Sequence, residues 1–478
     1  MLFPSIVFLF YFLPAVLVLY YSILGWNIQL RNLLLLAASI LFYAWGEPRY
    51  VGLLLFSCLL NWLMGLLIEH FKASAKPLLA AACVMNLMIL GYYKYLGFLI
   101  RTLNAVAGMT LMEVPEIPLP IGISFFTFQA MSYVIDVYRG TAKAQKNLLS
   151  LSLYIALFPQ LVAGPIVRYG TVEEQILHRK HSMQLFGDGV WRFAQGLAKK
   201  LLLANSFAGI ADHIYSLTMA GHSQLRVPLL LAWIGSFAYT LQIFFDFSGY
   251  SDMAIGLGKM FGFTFEENFN DPYISKTIGE FWRRWHISLG TWFREYVYFP
   301  LGGSHVENKD IMVRNLFVVW LLTGLWHGAS WTFVLWGIWN FIFLLLERLL
   351  LMEQWKGPVW FKHLYTLFVV NLGWVLFRCE NFYQFGEYFG NLFGMNRNGF
   401  CSSMVWMFLR EYAVFWMAGI LLSTPALTYA KEKLSGSYPG TAAILERIVQ
   451  PLCMSILFLV CLAYLIKGGY NPFIYFNF

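Results

Sequence analysis

Long apolar stretches separated by short polar loops recur from one end of the chain to the other. A stretch of about 18 or more apolar residues is enough to cross the hydrocarbon core of a bilayer as a helix. The pattern therefore predicts an all-α polytopic membrane protein with about 11 transmembrane helices. The first stretch, residues 3–21, has no basic residue before it and no small-residue cleavage pattern after it, so we interpret it as a retained span and not a signal peptide.

Composition agrees with this class. Of the 478 residues, 59% are hydrophobic and only 12% are charged, and the mean hydropathy is +0.61. These values lie far outside the range of soluble globular proteins. The formal charge of +8 does not indicate a nucleic-acid binder, because the basic residues are scattered in short loops and do not gather on one soluble face.

The basic residues instead indicate a membrane topology. Among the first five predicted spans, alternate loops are richer in Lys and Arg, and by the positive-inside rule the richer loops are cytoplasmic. This arrangement places the N-terminus outside. The richer loops hold Arg31, then Lys72 and Lys76, then Arg139, Lys143 and Lys146.

Polar interruptions divide the chain into three predicted parts. Residues 1–115 form plain N-terminal transmembrane helices, and residues 351–478 form plain C-terminal ones. Residues 116–350 follow a Pro-rich connector, and their apolar stretches are interrupted by Gly, Pro, Asp, Ser, His and Arg. Such interruptions are tolerated at membrane depth only where protein or water surrounds them, so we expect this middle part to build a cavity.

One histidine lies in a long uncharged run. Residues 315–346 contain no Asp, Glu, Lys or Arg, and as a straight helix they would measure about 48 Å, which exceeds one crossing. The run must therefore bend or break, and Gly324 and Gly328, which flank His327, are where we expect it. A buried histidine bonded to a backbone carbonyl is the structural alternative, whereas an intramembrane ionisable group is by default a candidate functional residue.

A second histidine lies in the aromatic and charged stretch 277–303. Helical spacing predicts one amphipathic helix that ends at residues 300–303, "PLGG". His286 falls on its apolar side with Trp282, Leu289 and Phe293. The alternative is an in-plane surface helix whose arginines meet lipid head groups, although this does not explain a histidine on the apolar side.

Together the two histidines suggest a general base in a water-poor site, because imidazole accepts a proton near neutral pH. A bound metal is the rival interpretation, but no third ligand stands at a supporting spacing, so we expect no metal. The chain has no GxSxG elbow and no GxGxxG or GxxxxGK[ST] loop, which argues against Ser-His-Asp chemistry and nucleotide-binding loops.

Several stretches resemble the membrane-bound O-acyltransferase (MBOAT) family, and within it the bacterial alginate O-acetylation branch. They are "ILFYAWGEPRY", "FPQLVAGPIVRY", "FFDFSGYSDMAIGLGKMFGF", "NFNDPY", "FWRRWHISLGTWFREYVYFPLGG" and "LTGLWHGASWTFVLWG". The resemblance implies an MBOAT fold, in which tilted transmembrane helices and re-entrant or amphipathic helices surround a central tunnel. It also implies that His327 is the catalytic histidine and His286 the second signature histidine.

The resemblance implies an acyl-transfer reaction, and the residues near the histidines lead to further expectations about the site. His327 is expected to take the proton of an attacking hydroxyl, and His286 to position the donor or stabilise developing charge. Asp246 and Asp252 are expected to pair with Arg283, Arg284 or Lys259 in the cavity wall, with a chemical role as the alternative. The residues expected to line the tunnel or contact substrate are Trp285, Trp326, Asp246, Asp252, Arg283 and Arg284.

The expected activity is transfer of acetyl groups from a cytoplasmic thioester, acetyl-CoA or an acyl carrier, to an extracellular polysaccharide. The thioester is a co-substrate, and no tightly bound cofactor is expected. The expected setting is the lipid of the bacterial cytoplasmic membrane, with a periplasmic or cell-surface SGNH-type acetyltransferase as partner. Two alternatives remain: D-alanyl transfer from a carrier protein to teichoic acid, and transport of an acyl donor without chemistry.

Overall fold

A computed structural model of the chain describes residues 1–23, 27–218, 226–304, 308–468 and 474. Within these ranges the chain is almost entirely helical and forms no β-strand, apart from an isolated bridge between Phe269 and Trp285. The predicted all-α class is therefore confirmed. The chain divides into two compact units, Met1–Phe193 with Met253–Glu266, and Ala194–Asp252 with Glu267–Phe478. These boundaries differ from the predicted divisions near residues 115 and 350.

The first unit is mostly helical, and the non-helical segment at residues 162–167 is buried in it. Short π-helical turns, Phe8–Phe12, Leu19–Ile23 and Gly91–Tyr95, and 3-10 turns, Pro48–Tyr50 and Lys72–Ser74, join some of them. Its α-helices are α1 Leu13–Val18, α2 Ile28–Gly46, α3 Val51–His70, α4 Ala75–Leu90, α5 Leu96–Ala107, α6 Ile123–Arg139, α7 Leu148–Ala156, α8 Phe158–Leu161, α9 Tyr169–His178 and most of α10 Met183–Ala198.

Paired polar groups hold apolar helices of the first unit together. Asn61 on α3 and Asn86 on α4 are buried, and their side-chain amides exchange two hydrogen bonds of 3.1 and 2.9 Å. Lys94, also buried, donates from Nζ to Ser124 Oγ at 3.0 Å. A buried amide or ammonium group is costly unless it is hydrogen-bonded, so these contacts favour one packing arrangement of the helices.

The second unit holds both motif histidines. It includes a π-helical turn, Lys199–Ala204, two more at Arg294–Tyr298 and Leu445–Val449, and a 3-10 turn, Pro272–Ile274. Its α-helices are α11 Asn205–Ser216, α12 Leu229–Met260 up to residue 252, α13 Ile278–Arg284, α14 Ile287–Phe293, α15 Lys309–His327, α16 Trp331–Leu349, α17 Val359–Arg378, α18 Phe382–Leu392, α19 Ser403–Glu411, α20 Ala413–Leu422, α21 Ala426–Ser437, α22 Pro439–Ile444 and α23 Gln450–Ile466.

Seven helical segments in the described residues are long and apolar enough to cross a membrane, or eight if α19 and α20, bent by 67°, form one span. A multi-pass membrane protein is thus confirmed, with fewer such spans than the predicted 11 or so. Part of the difference is that α6 has only 17 residues and that α15 carries charge in its first turns. The seven are Ile28–Gly46, Pro48–His70, Lys72–Ala107, Leu229–Met260, Trp331–Leu349, Val359–Arg378 and Pro439–Ile466.

Candidate active site

The long uncharged run breaks immediately after His327. Helix α15 ends at this histidine, Gly328 is extended, and α16 begins at Trp331, so the two helices form a hairpin. A methyl group at Gly324 would overlap the carbonyl oxygen of Phe333 and lie 3.2 Å from the Cα of Gly337. Glycine is needed at this crossing because helix backbones meet there directly. The predicted break is confirmed, and the crossing lies one turn before His327.

Aromatic rings surround His327, which is only 4% exposed. Its ring centroid lies 5.0 Å from Trp326, 5.0 Å from Trp336 and 5.3 Å from Phe377, all edge-to-face. Trp336 in turn stacks on Trp374 at 6.1 Å. Large rings on three helices or helix ends restrict the motion of the imidazole, so His327 is held in a rigid and largely apolar setting.

The stretch around His286 is not the single amphipathic helix that the periodicity predicts. Helix α13 ends at Arg284, Trp285 is extended, and His286 has a φ of 46°, in the left-handed region, before α14 begins. A non-glycine residue is strained there and needs support from its surroundings. Residues 268–270 supply this support. The N–H of Asn270 donates to the carbonyl oxygen of Arg284 at 2.9 Å, and the N–H of Ile287 donates to the carbonyl oxygen of Asn268 at 3.0 Å.

His286 is 2% exposed and lies outside the helices that could cross a membrane. Burial lowers the pKa of its imidazole, so the ring is neutral at neutral pH. The ring centroid lies 4.5 Å from Phe247 and 6.0 Å from Trp326. Its Nδ1 lies 3.2 Å from Asn268 Oδ1. A neutral imidazole in an apolar pocket offers one N–H and one lone pair for hydrogen bonds, while its lowered pKa makes it a weak base.

Both histidines line one cavity of about 490 Å³. Its wall is mostly aromatic and aliphatic, with a few hydroxyl groups and arginines, a combination that is typical of small-molecule sites. A second cavity of about 430 Å³ shares four wall residues with it, Gly279, Arg283, Leu316 and Leu344. The other residues of the first cavity include Trp282, Trp285, Leu289, Thr291, Phe293, Arg294, Tyr298, Trp320 and Thr323.

Of the predicted tryptophans and arginines of the site, three lie near the histidines and Arg284 does not. Trp285 and Arg283 line the first cavity, and Trp326 contacts the rings of both histidines without lining it. Arg283 also lines the second cavity, and its guanidinium forms an exposed ion pair of 3.0 Å with Glu353. Arg284 is not among the wall residues of either cavity and pairs with Glu280 at 3.0 Å. The structure thus brings Trp285, Trp326 and Arg283 to the histidines.

Asp246 and Asp252 are paired, but not with the predicted partners. Asp246 lies 2.6 Å from Lys200 and Asp252 lies 2.7 Å from Lys199, and neither carboxylate lines either cavity. The expected pairing with Arg283, Arg284 or Lys259 is therefore wrong. The reason is a close approach at Gly249: a methyl group there would lie 2.8 Å from the carbonyl oxygen of Gly196, so α12 packs directly on the segment that carries both lysines.

Sequence reasoning missed Asn268, which accepts hydrogen bonds from the backbone N–H groups of Ile287 and Ser288, the two residues after His286. This residue belongs to the stretch "NFNDPY", to which we assigned no role, and its side chain is 1% exposed. The available signal was an amide beside Phe269 in a segment with turn-forming Asn, Asp and Pro. In the described ranges no three His, Cys, Asp or Glu side chains come together as a metal site would need, and the absence of a metal stays a prediction.

A helical membrane protein with two buried histidines on one cavity is the class that this fold and site define. Residues 142–386, just over half of the chain, match the MBOAT, membrane-bound O-acyltransferase family. The chain therefore belongs to the membrane-bound O-acyltransferase family, and it is an enzyme of the O-acyltransferase class.

Three relatives illustrate the range of similar proteins. The probable alginate O-acetylase AlgI of Azotobacter vinelandii is 40% identical over a gapped alignment of 512 positions, which covers 100% of both chains. The peptidoglycan O-acetyltransferase of Helicobacter pylori is 32% identical over 84% of this chain and 81% of its own. The teichoic acid D-alanyltransferase of Bacillus subtilis is 29% identical over 55% of this chain and 68% of its own.

Proposed function

We propose that the enzyme transfers acetyl groups from a cytoplasmic thioester to a hydroxyl acceptor, for the O-acetylation of an extracellular polysaccharide. The observation that carries this proposal is the shared cavity of His286 and His327, which is of a size that holds a small substrate. The names of full-length relatives support acetyl as the acyl group, since one of them is a probable alginate O-acetylase.

In the proposed reaction the acceptor hydroxyl attacks the acyl carbonyl, and His327 removes the hydroxyl proton. A C–O ester bond forms, the C–S bond of the thioester breaks, and the thiolate that leaves takes up the proton from His327. General-base assistance of this kind contributes about 10²- to 10⁴-fold to the rate. The aromatic wall around His327 excludes water, which limits the competing hydrolysis of the thioester.

The donor is acetyl-CoA or an acetylated carrier, which acts as a co-substrate and not as a bound cofactor. The cavity that adjoins the histidine cavity is lined by Arg283 and Arg348 and also by Glu347 and Glu353, so an anionic donor competes with Glu353 for Arg283. The distribution of basic loops supports an N-terminus outside the bacterial cytoplasmic membrane. Acetyl groups would then cross through the enzyme to an SGNH-type acetyltransferase partner or directly to the polysaccharide.

The test replaces His327 with alanine in the full-length chain and measures the O-acetyl content of the secreted polysaccharide. We expect the acetyl content to fall to background while the amount of membrane-inserted protein stays normal. The matched control is His178→Ala, which removes an exposed histidine at the end of α9 and should leave acetylation unchanged. Wild-type acetylation by a correctly inserted His327→Ala protein would refute the catalytic assignment.

Two alternatives are separated by the choice of donor. The similarity to a teichoic acid D-alanyltransferase over 55% of this chain favours D-alanyl transfer as the second candidate, so membranes should be supplied with acetyl thioester or with D-alanyl carrier protein. Acylation only by the second donor would replace the acetyl proposal. Uptake of the acyl donor without any covalent product, unaffected by His327→Ala, would indicate a transporter instead.

A further inference from the structure

The side chain of Asn268 joins His286 to the first turn of α14. Its Oδ1 accepts a hydrogen bond from the backbone N–H of Ser288 at 3.1 Å and another from the Ser288 hydroxyl at 2.9 Å. The same oxygen lies 3.2 Å from His286 Nδ1. All three residues are buried, so these contacts are sheltered from competing water.

These contacts determine which nitrogen of His286 carries the proton. A backbone N–H can only donate, so the Asn268 atom that faces Ser288 is the carbonyl oxygen and not the amide nitrogen. His286 Nδ1 therefore faces an acceptor and must bear the hydrogen. Because the neutral imidazole has one N–H and one lone pair, Nε2 holds the lone pair. Burial disfavours the imidazolium, which would carry a hydrogen on both nitrogens.

The lone pair at Nε2 has no hydrogen-bond partner among the described residues. Buried polar atoms are hydrogen-bonded in the great majority of cases, so this nitrogen is available to a hydrogen-bond donor. His286 lines the cavity that it shares with His327. A thioester carbonyl cannot satisfy this nitrogen, because carbonyl oxygen and Nε2 are both acceptors. A hydroxyl can, because it supplies a hydrogen.

We propose that Asn268 is a positioning residue that keeps His286 in its Nδ1–H tautomer, so that Nε2 accepts a hydrogen bond from a hydroxyl of the acyl acceptor. This inference rests on the proposed function for the identity of the bound substrate. It moves His286 to the acceptor side of the reaction, whereas the resemblance suggested a role with the donor or with developing charge. A neutral ring in this tautomer has no hydrogen at Nε2 to give to an oxyanion.

The tautomer is measured directly by ¹⁵N NMR of the full-length protein in lipid nanodiscs, with ¹⁵N-labelled histidine. The His286 signals are assigned as those lost in His286→Gln. We expect Nδ1 to be protonated and Nε2 to be unprotonated in the wild type and in Asn268→Asp, which keeps an acceptor oxygen. In Asn268→Ala the two tautomers should mix. A protonated Nε2 in the wild type, or no change in Asn268→Ala, overturns the inference.

Two replacements of His286 distinguish the roles of its two ring nitrogens in a kinetic assay with acetyl thioester and a short oligosaccharide acceptor. Glutamine places an amide oxygen near the Nε2 position, whereas asparagine keeps a donor near Nδ1 and leaves the Nε2 position empty. We expect the KM for the oligosaccharide to rise about 10-fold or more in His286→Asn and less in His286→Gln, with the KM for the thioester unchanged. A selective rise in the thioester KM overturns the inference.

Asn268→Ala should raise the KM for the oligosaccharide by less than His286→Asn does, because mixed tautomers leave only part of the enzyme with a lone pair at Nε2, and Asn268→Asp should restore most of the wild-type KM. The matched control is Asn391→Ala, which removes a buried amide on α18 that bonds only to Asn396 and Asn398 in the described contacts. This control should keep the wild-type KM for the oligosaccharide. If no variant or wild-type protein transfers acetyl, the proposed function fails, while the NMR result still decides the tautomer.

Discussion

Replacing Gly324 with alanine tests whether the hairpin crossing positions His327. The added methyl group would overlap the carbonyl oxygen of Phe333 and contact the Cα and N of Gly337 at 3.2 and 3.3 Å. These are backbone atoms, so no side chain can rotate away and one helix must shift. Overpacking of this kind costs about 1–3 kcal/mol. Alanine recovers about 1 kcal/mol through its higher helix propensity, which leaves a net destabilisation of about 0–2 kcal/mol.

The loss of activity should exceed the loss of stability. Helix α15 ends at His327, one turn beyond Gly324, so a shift of the helix carries the imidazole with it. A misplacement of about 1 Å costs about 10²-fold in rate when a reaction depends on precise orientation. We therefore expect Gly324→Ala to reduce acetyl transfer by about 10- to 100-fold at a temperature where the protein is still folded.

The assay compares the thermal midpoint of the purified protein with its acyl-transfer rate. Gly386→Ala is the matched control, because this glycine lies inside α18 with no atom within 4 Å of the added methyl group. The control should gain up to about 1 kcal/mol of stability and keep its activity. A Gly324→Ala protein with wild-type midpoint and wild-type rate would refute the argument that backbone contact at this crossing holds His327.

Two further predictions concern charge. Asp246→Asn leaves Lys200 buried without its carboxylate, which should cost about 3–5 kcal/mol and appear as a loss of folded protein. Exchanging the two residues should restore the protein level. Restored protein without activity would assign Asp246 to the chemistry. Because burial lowers the pKa of His286 below its unfolded value of about 6.5, its contribution to stability is complete above about pH 6.5 and is lost as the pH falls through the folded-state pKa. The thermal midpoint of the wild type should therefore drop more between about pH 7.5 and about pH 5 than that of His286→Gln, and equal drops would contradict it.

The break at His327 could be predicted because its cause is local. The uncharged run is too long for one crossing, and the glycines that permit a close helix contact lie within it. The break also required no knowledge of distant residues, since α15 and α16 pack on each other. Length and composition alone therefore located the interruption of the span and the histidine that ends the first helix.

The break at His286 could not be predicted because its cause is remote. Helical spacing across residues 277–303 is preserved, and nothing inside the stretch forbids a continuous helix. The interruption depends on hydrogen bonds from residues 268–270, which precede the stretch and leave no periodic signal in it. The partners of Asp246 and Asp252 were missed for a related reason: the lysines belong to a segment about 50 residues earlier, brought close by Gly249.

Both motif histidines lie at interruptions of helices, and this follows from the setting. A regular helix in an apolar environment satisfies its backbone N–H and C=O groups internally. Where the helix is interrupted, these groups need other partners, so a break is tolerated only where protein or a cavity surrounds it. At His327 direct helix packing provides that surrounding, and at His286 the segment 268–270 provides it. The backbone breaks at the two histidines therefore have separate supports, although the two rings share a contact with Trp326. Gly324→Ala should disturb His327 while leaving the His286 tautomer intact, and Asn268→Ala should do the reverse.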